Sequence, residues 1–164
     1  RVVAMSIHLA QMYGVTDLDA LNSLRRGAIL HDVGKMGVAD GILLKAGPLT
    51  GEEWDVMRRH TIYGYEMLKP IEYLRPALDV VLYHHERWDG GGYPEGLARD
   101  TIPLHARMFA ISDVWDALRH SRPYKAPWPR EKVISYVNSE SGSGFDPGIV
   151  EVFQEAIQDE VIWE

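Results

Sequence analysis

The sequence predicts an all-α protein of about six to seven helices. Apolar residues recur at helical spacing in successive segments, and no run alternates apolar and polar residues for long enough to form a strand. The chain has 164 residues, of which 46% are hydrophobic, so it can bury one ordinary core. No internal repeat or low-complexity segment divides it, and we therefore expect a single domain over residues 1–164.

The first two predicted helices place one histidine on a buried stripe. The segment "RVVAMSIHLAQMYGV" is amphipathic from Arg1 onward and has no capping residue before it, so we expect the chain to be a fragment of a longer protein. A second helix begins at Thr16 or Asp17 and carries His31 on its apolar stripe before Gly34 ends it.

The next two predicted helices also turn histidines inward. Thr50 and Glu53 have capping-box spacing and open a helix whose inner face includes His60. The helix in "YLRPALDVVLYHHERW" ends at a histidine pair. His85 lies on the apolar stripe, and His84 lies next to that stripe on the helix surface. A glycine-rich loop, "DGGGYPEG", follows this pair.

A fifth helix, in "IPLHARMFAISDVWDALRH", sets Asp113 at the edge of an apolar stripe. A carboxylate in such a place costs several kcal/mol unless it is paired or binds a cation. Two short helices are predicted between Glu131 and Trp163, separated by "NSESGSGFDPG".

Composition restricts the chemistry. The absence of cysteine excludes thiolate ligands, disulfides and a cysteine nucleophile, so any metal ligands must be histidines and carboxylates. The net charge of −7 disfavours binding to nucleic-acid polymers, so an anionic ligand would need local positive charge. No apolar run reaches the roughly 20 residues of a membrane span, and no secretory signal is present. We expect a cytoplasmic protein.

The inward-facing polar residues together predict a metal site. Each histidine taken alone is more often a hydrogen-bonded core residue than a ligand. Four histidines and two aspartates on four helices are hard to explain separately, and imidazole with carboxylate is the ligand set of divalent transition metals. The residues concerned are His31, Asp32, His60, His84, His85 and Asp113.

The order of these motifs resembles the HD-GYP domain, a branch of the HD superfamily of metal-dependent phosphohydrolases. The matching elements are "HDVGK" (31–35), His60, the pair at 84–85, "GYP" (92–94) and "SDVWDAL" around Asp113, supported by "ILLKAGPLT", "RPYK" and "GFDP". The resemblance implies an HD-domain helical bundle with a GYP loop. It also implies two or three divalent metal ions and hydrolysis of cyclic di-GMP to pGpG or GMP by metal-activated hydroxide.

The resemblance also assigns roles. It implies metal binding by the six residues above, with the Asp32 carboxylate bridging two ions and acting in catalysis. Lys35 would contact a phosphate oxygen, while Arg122 and Lys125 would contact the dinucleotide. Tyr93 would either stack on a guanine or pack the loop. Iron or manganese is preferred, and nickel or zinc also suits the ligands. Two candidates remain for the acid that protonates the leaving group, namely Asp116 and a metal-bound water.

Some positions depart from the family pattern. The family's first histidine ligand, aligned on the Arg-Val pair, would precede Arg1, so one metal site could be incomplete in this fragment. Gly91 stands where the family often has Ser, Ala46 where it often has Pro, and residues 119–121 where a Thr-Ser-Asp run is common.

Three functions remain open at this point. The leading prediction is a cyclic di-GMP phosphodiesterase domain, regulated by an N-terminal sensor or receiver domain. The alternatives are a phosphohydrolase of another cyclic dinucleotide or nucleotide, and a catalytically impaired module for ligand binding or protein docking. By analogy with the family, GGDEF-type diguanylate cyclases are candidate partners, and a homodimer is a further expectation.

Overall fold

Helices form nearly all of the regular structure. The computed structural model describes residues 1–120 and 126–163, and within these ranges the only β-type pairing is an isolated bridge between Ser141 and Phe145. The α-helices are α1 (Val2–Met12), α2 (Leu18–Leu30), α3 (Asp40–Leu43), α4 (Gly51–Arg58), α5 (His60–Leu68), α6 (Leu78–Tyr83), α7 (Leu104–Arg119), α8 (Arg130–Ser139), α9 (Pro147–Ala156) and α10 (Glu160–Trp163). Short 3₁₀ helices cover Val33–Gly37, Glu72–Ala77 and Arg99–Thr101. No helix in the described residues is long and apolar enough to cross a membrane.

The all-α prediction is confirmed, although the helix predicted after Thr50 is two helices. The second helix also ends at Leu30, earlier than predicted, and a 3₁₀ turn leads to Gly34. Between α4 and α5, the His60 ring bonds the Met57 carbonyl at 2.7 Å, and the Thr61 hydroxyl donates to the Arg58 carbonyl at 3.3 Å. These side chains bond to carbonyls of the last turn of α4, and such bonds compete with the helical pattern.

Side-chain caps fix three helix starts that matter for the site. Asp17 is the cap of α2, since its carboxylate accepts from the Ala20 N–H at 2.7 Å. The predicted capping box of Thr50 and Glu53 is present at α4. Asp146 of "GFDP" caps α9 and also accepts from Arg107 on α7 at 2.6 Å, so this motif ties two helices together.

The main core lies between α1, α2, α7, α8, α9 and α10. Its centre is an aromatic group of Trp115, Phe153 and Trp163, all fully buried, with ring centroids 5.3–5.6 Å apart in edge-on contact. Buried aromatic rings contribute large apolar areas to a core. The rigid base formed in this way holds α7, which carries Asp113.

A close backbone crossing joins the 3₁₀ helix after α2 to α5. A Cβ atom on Gly34 would lie 1.8 Å from the His60 carbonyl oxygen and 2.3 Å from the Gly64 nitrogen. Only glycine permits such an approach between two backbones. The crossing therefore brings Asp32 and Lys35, on either side of Gly34, against the start of α5 where His60 lies.

Candidate metal centre

Helix ends position most of the predicted ligands. His31 is the C-terminal cap of α2 and is followed by Asp32, His60 opens α5, and His84 is the C-terminal cap of α6. Successive residues inside an α-helix point about 100° apart, because there are 3.6 residues per turn. At the end of α6 the chain leaves the helix, and the rings of His84 and His85 lie together with centroids 4.1 Å apart.

Three histidines form a compact group of potential ligands. The ligand nitrogens of His60, His84 and His85 all lie within 4.8 Å of one another. The Nε2 atoms of His60 and His84 are 3.5 Å apart. Two ligands of one cation with bonds of about 2.1 Å lie at this kind of separation, so the group fits a transition-metal ion.

Asp32 lies between this group and a second pair of residues. Its Oδ1 atom is 3.5 Å from His60 Nε2, and its Oδ2 atom is 3.3 Å from His31 Nε2. On the far side, His31 Nε2 is 3.8 Å from Asp113 Oδ1. The two oxygens of one carboxylate thus face two separate sets of ligands, the arrangement that a bridging ligand requires.

Hydrogen bonds to backbone carbonyls fix the tautomers of three rings. Nδ1 lies 2.8 Å from the Ala28 oxygen in His31, 2.7 Å from the Met57 oxygen in His60 and 2.9 Å from the Val80 oxygen in His84. A carbonyl oxygen only accepts, so each Nδ1 must carry the proton. The lone pair of each neutral ring is then on Nε2, which faces the centre, and this is how metal-binding histidines are usually oriented.

Burial keeps the inner histidines uncharged. It lowers the pKa of His85 to about 3, and the nearby His60 charge acts in the same direction. Burial, followed by the neighbouring histidines, also holds the pKa of His84 well below its usual value. Burial lowers the pKa of His60 as well, although its bond to Met57 and the charge of Asp32 oppose this. Neutral imidazole is the form that binds metals.

The outer part of the centre is charged. Burial opposes the charge of Asp32, but hydrogen bonds and charges of His31 and Lys35 outweigh burial and lower the pKa of this carboxyl. For His31, burial lowers the pKa, yet the hydrogen bond and charge of Asp32 prevail and raise it. The Lys35 ammonium is 2.5 Å from Asp32 Oδ2, so its charge lies at the mouth of the centre.

The GYP loop packs directly on the centre. A Cβ on Gly92 would lie 2.4 Å from the Arg87 nitrogen, so the loop passes too close to its own preceding turn for any other residue. The Tyr93 ring stacks on His85 with centroids 4.8 Å apart, and the Tyr93–Pro94 peptide is cis. The packing alternative predicted for Tyr93 is therefore present, and the same ring lines the adjacent cleft.

Glu86 is an important residue that our sequence reasoning missed. Its side chain is buried, with 5% exposure, and its carboxylate accepts from the backbone N–H groups of Glu95, Gly96 and Leu97 at 2.8, 3.1 and 3.0 Å. It thereby fastens the chain after the GYP loop beside the histidine pair. The only signal in the sequence was an acidic residue directly following two inward histidines.

A cleft of about 260 Å³ opens beside the centre. It reaches from the centre to the segment that connects α8 and α9. Its lining residues include His85, Tyr93, Asp113, Tyr136, Glu140 and Gly144.

Of the other residues considered for the site, Asp116 lies within the described structure, whereas two cationic residues do not. Asp116 contacts Arg1 at 3.0 Å and His120 at 3.4 Å, one turn of α7 away from Asp113. Arg122 and Lys125 lie outside the described residues.

An all-α fold that brings four histidines and two aspartates together beside a cleft is the arrangement expected of the class of metal-dependent phosphohydrolases. The comparison with protein families agrees, since the HD domain family matches residues 1–149. The chain therefore belongs to the HD domain family, and its ordered motifs place it in the HD-GYP branch.

Curated relatives support this assignment. The chain is 40% identical over 145 residues to a cyclic di-GMP phosphodiesterase response regulator of Xanthomonas campestris, covering 87% of the chain and 38% of that protein. It is 39% identical over 157 residues to a 3'3'-cGAMP-specific phosphodiesterase of Vibrio cholerae, covering 94% of the chain and 30% of that protein. The chain thus spans less than half the length of either relative.

A solved structure confirms the fold. The chain superimposes on a cyclic GMP-AMP specific phosphodiesterase of Vibrio cholerae with a TM-score of 0.76 and 17% identity, over 99% of this chain and 44% of that one. HD domains bind divalent metal ions, and the histidine group described above is where this chain could hold them.

Proposed function

We propose that this protein is a metal-dependent phosphodiesterase that hydrolyses cyclic di-GMP. The observation that carries the proposal is the position of Asp32, whose two oxygens face His60 at 3.5 Å and His31 at 3.3 Å. That arrangement suits a pair of cations, and the relative from Xanthomonas campestris is named a cyclic di-GMP phosphodiesterase. The Vibrio cholerae relative named for 3'3'-cGAMP supports a second candidate, a phosphodiesterase of another cyclic dinucleotide.

We assign the predicted ligands to two ions. One ion would be held by His31, Asp32 and Asp113, and the other by Asp32 together with the histidine group of His60, His84 and His85. Such ions, when bound, activate water and stabilise negative charge on a phosphoryl group. The histidine-rich donor set favours iron or manganese, with nickel or zinc as alternatives and a third ion as an open extension.

Several side chains would bind and orient the substrate. The Lys35 ammonium, which lies beside Asp32 Oδ2, would donate to a phosphate oxygen as negative charge develops there. Tyr93 lines the cleft and offers an aromatic surface at its entrance. Arg122 and Lys125 remain proposed contacts to the dinucleotide, and either pGpG or GMP is compatible as final product.

Partners of the protein are also proposals. The Xanthomonas campestris relative is named a response regulator, which supports an N-terminal receiver or sensor domain as the regulator of this domain. The GYP loop would be the surface for a GGDEF-type diguanylate cyclase, and self-association as a homodimer is proposed on the family resemblance alone.

The experiment is hydrolysis of cyclic di-GMP by the full-length protein, assayed anaerobically with Fe(II) and separately with Mn(II). Asp32→Ala should lower both metal occupancy and turnover by more than about 100-fold, because loss of a ligand exceeds the loss of an outer partner. The matched control is Asp19→Ala, which removes an exposed carboxylate on α2 far from the cleft. Both variants should retain wild-type helical content by circular dichroism.

Two outcomes would contradict the proposal. Turnover that survives in Asp32→Ala would remove Asp32 from the metal centre. Full metal occupancy and tight cyclic di-GMP binding without turnover would instead identify a binding module.

A further inference from the structure

The cleft beside the metal centre has an acidic side chain that the proposed hydrolysis does not use. Glu140 is the C-terminal cap of α8, its side chain is 25% exposed, and it lines the same cleft as His85 and Asp113. A carboxylate in a cleft for a doubly negative dinucleotide repels the substrate phosphates. A carboxylate at this position would instead bind a part of the ligand that carries hydrogen-bond donors.

Neighbouring side chains hold Glu140 from one side. Its Oε2 atom accepts from Arg87 Nη2 at 3.1 Å and lies 3.4 Å from the Ser143 hydroxyl. Arg87 is itself fixed by Asp89, at 3.0 Å. Within residues 1–120 and 126–163, the hydrogen bonds to this carboxylate reach Oε2 and come from Arg87 and Ser143. The carboxylate is therefore held in a defined position at the edge of the cavity.

We propose that Glu140 selects guanine over adenine in this cleft, an inference that rests on the proposed function. The Watson–Crick edge of guanine presents N1–H and N2–H₂, two donors side by side, and an ionised carboxylate can only accept. Adenine presents one amino donor beside the N1 lone pair, which the carboxylate repels. A polar group built for one hydrogen-bonding edge rejects a ligand that lacks it.

The size of the cleft determines which competitor is informative. Its volume of about 260 Å³ lies just below the roughly 300–1,000 Å³ typical of small-molecule sites, so we expect it to hold one base with its ribose and to leave the second half of the ligand outside. A hybrid of guanine and adenine could place its guanine here. Cyclic di-AMP cannot, and it is therefore the competitor that reports on Glu140.

The test is the ratio of kcat/KM for cyclic di-GMP to kcat/KM for cyclic di-AMP, measured with the Mn(II)-loaded full-length protein. Glu140→Gln should lower this ratio at least tenfold, because the amide NH₂ faces a guanine donor while one oxygen can still accept from Arg87. Glu131→Gln, an exposed residue of the same helix, makes the same charge change and should leave the ratio unaltered.

A purely structural role for Glu140 predicts a different result. If Glu140 only fastened Arg87, the Gln variant would lower kcat/KM for both substrates by the same factor, and this outcome overturns the proposal. Thermal unfolding of the variant within a few degrees of wild type would show that the wall of the cleft is intact.

Binding measurements separate this inference from the proposed function. Dissociation constants for both dinucleotides are measured by calorimetry in an Asp32→Asn background, with and without Glu140→Gln. A preference for cyclic di-GMP that Glu140→Gln abolishes supports the inference even in a protein without turnover. Equal affinity for the two dinucleotides before the substitution overturns it, whatever the hydrolysis assay shows.

Discussion

The two walls of the cleft are built in different ways. The histidine wall consists of the six predicted ligands His31, Asp32, His60, His84, His85 and Asp113, of which His84, His85 and Asp113 line the cleft itself. The loop wall consists of residues 86–98 and 140–145. The backbone crossing between Gly34 and α5 holds Asp32 and His60 of the first wall together. The second wall is held by side chains such as Glu86 and Arg87, in addition to the close backbone approach at Gly92.

This difference separates two tasks of the site. Metal ligands must keep their mutual distances within a few tenths of an ångström, so a wall fixed by main-chain contacts suits them. Base recognition tolerates more variation, and a loop held by a few hydrogen bonds can change its specificity through single side chains. We therefore expect substitutions in the histidine wall to lower metal affinity and protein stability together. Substitutions in the loop wall should mainly change substrate binding.

The largest effect is expected for Gly34→Ala. The new Cβ would lie 1.8 Å from a backbone oxygen, which no side-chain rotation can relieve. Overpacking usually costs about 1–3 kcal/mol, and this site should reach the upper end or exceed it. Chemical denaturation should show the lost stability, and metal titration should show weaker binding, because Asp32 moves away from His60.

The matched control for this prediction is Gly41→Ala in α3. A Cβ at Gly41 meets no atom within 4 Å, and alanine has the higher helix propensity, so stability should be unchanged or slightly raised. Equal stability of the two alanine variants would show that the crossing does not set the geometry of the histidine wall.

Glu86→Gln should loosen the loop wall and leave the histidine wall in place. The amide cannot accept at both ends, so at least one of the three N–H groups bonded by Glu86 is left unpaired. Losing a bond to a charged acceptor costs about 1.5–3 kcal/mol. Hydrogen exchange at the Leu97 amide should accelerate, and KM for cyclic di-GMP should rise.

Metal affinity should stay within about twofold of wild type in this variant. Glu95→Gln serves as its control, since Glu95 is exposed and, in the part of the chain that the structure describes, its carboxylate accepts a hydrogen bond only from the Tyr83 hydroxyl, at 3.3 Å. A loss of metal from Glu86→Gln comparable to that from Asp32→Ala would mean that the two walls are one unit.

Tyr93→Leu should show whether the tyrosine ring of the loop wall serves substrate binding or supports the histidine wall. If a guanine stacks on Tyr93, its loss should raise KM by about tenfold, since stacking on an aromatic ring contributes about 1–3 kcal/mol per base. The ring also stacks on His85 at 4.8 Å, so a change in metal affinity with unaltered KM would assign it to the histidine wall instead. Steady-state kinetics combined with metal titration distinguish the two.

The smallest effect is expected outside both walls, at His105 on α7. Burial lowers the pKa of His105 below its usual 6.5, against the opposing charge of Asp79. The unfolded chain therefore binds this proton more readily, and the free energy of unfolding should fall as pH drops below 6.5. His105→Gln should remove that part of the decline. Urea unfolding at pH 5 and pH 8 measures it, and identical pH dependence in the variant would contradict the prediction.

Much of the histidine wall could be predicted from the sequence because it follows helical periodicity and ordered motifs. The 3.6-residue spacing predicted the inward positions of His31, His60 and Asp113, although His31 and His60 lie at helix ends and only Asp113 lies within a helix. The capping box at Thr50 was equally readable, because it depends on residues only three positions apart.

The loop wall could not be predicted in the same way. The contacts that hold it join residues distant in sequence, such as Arg87 with Glu140, and a loop has no period that would reveal them. Asp146 is a similar case, since its cap on α9 follows from local sequence but its bond to Arg107 does not. Arg122 and Lys125 lie outside the described residues and remain predictions.

The crossing at Gly34 has a consequence for protein engineering. Main-chain atoms meet there, and none of the atoms nearest to a Cβ at Gly34 belongs to the aromatic core around Trp115, so we expect the spacing between Asp32 and His60 to depend little on how that core is packed. A designer could therefore repack Trp115, Phe153 and Trp163 for heat resistance and keep the spacing between Asp32 and His60, with Asp113 on α7 as the position to check. The molecule would then serve as a scaffold in which one part of the candidate metal centre keeps its dimensions while the core is redesigned.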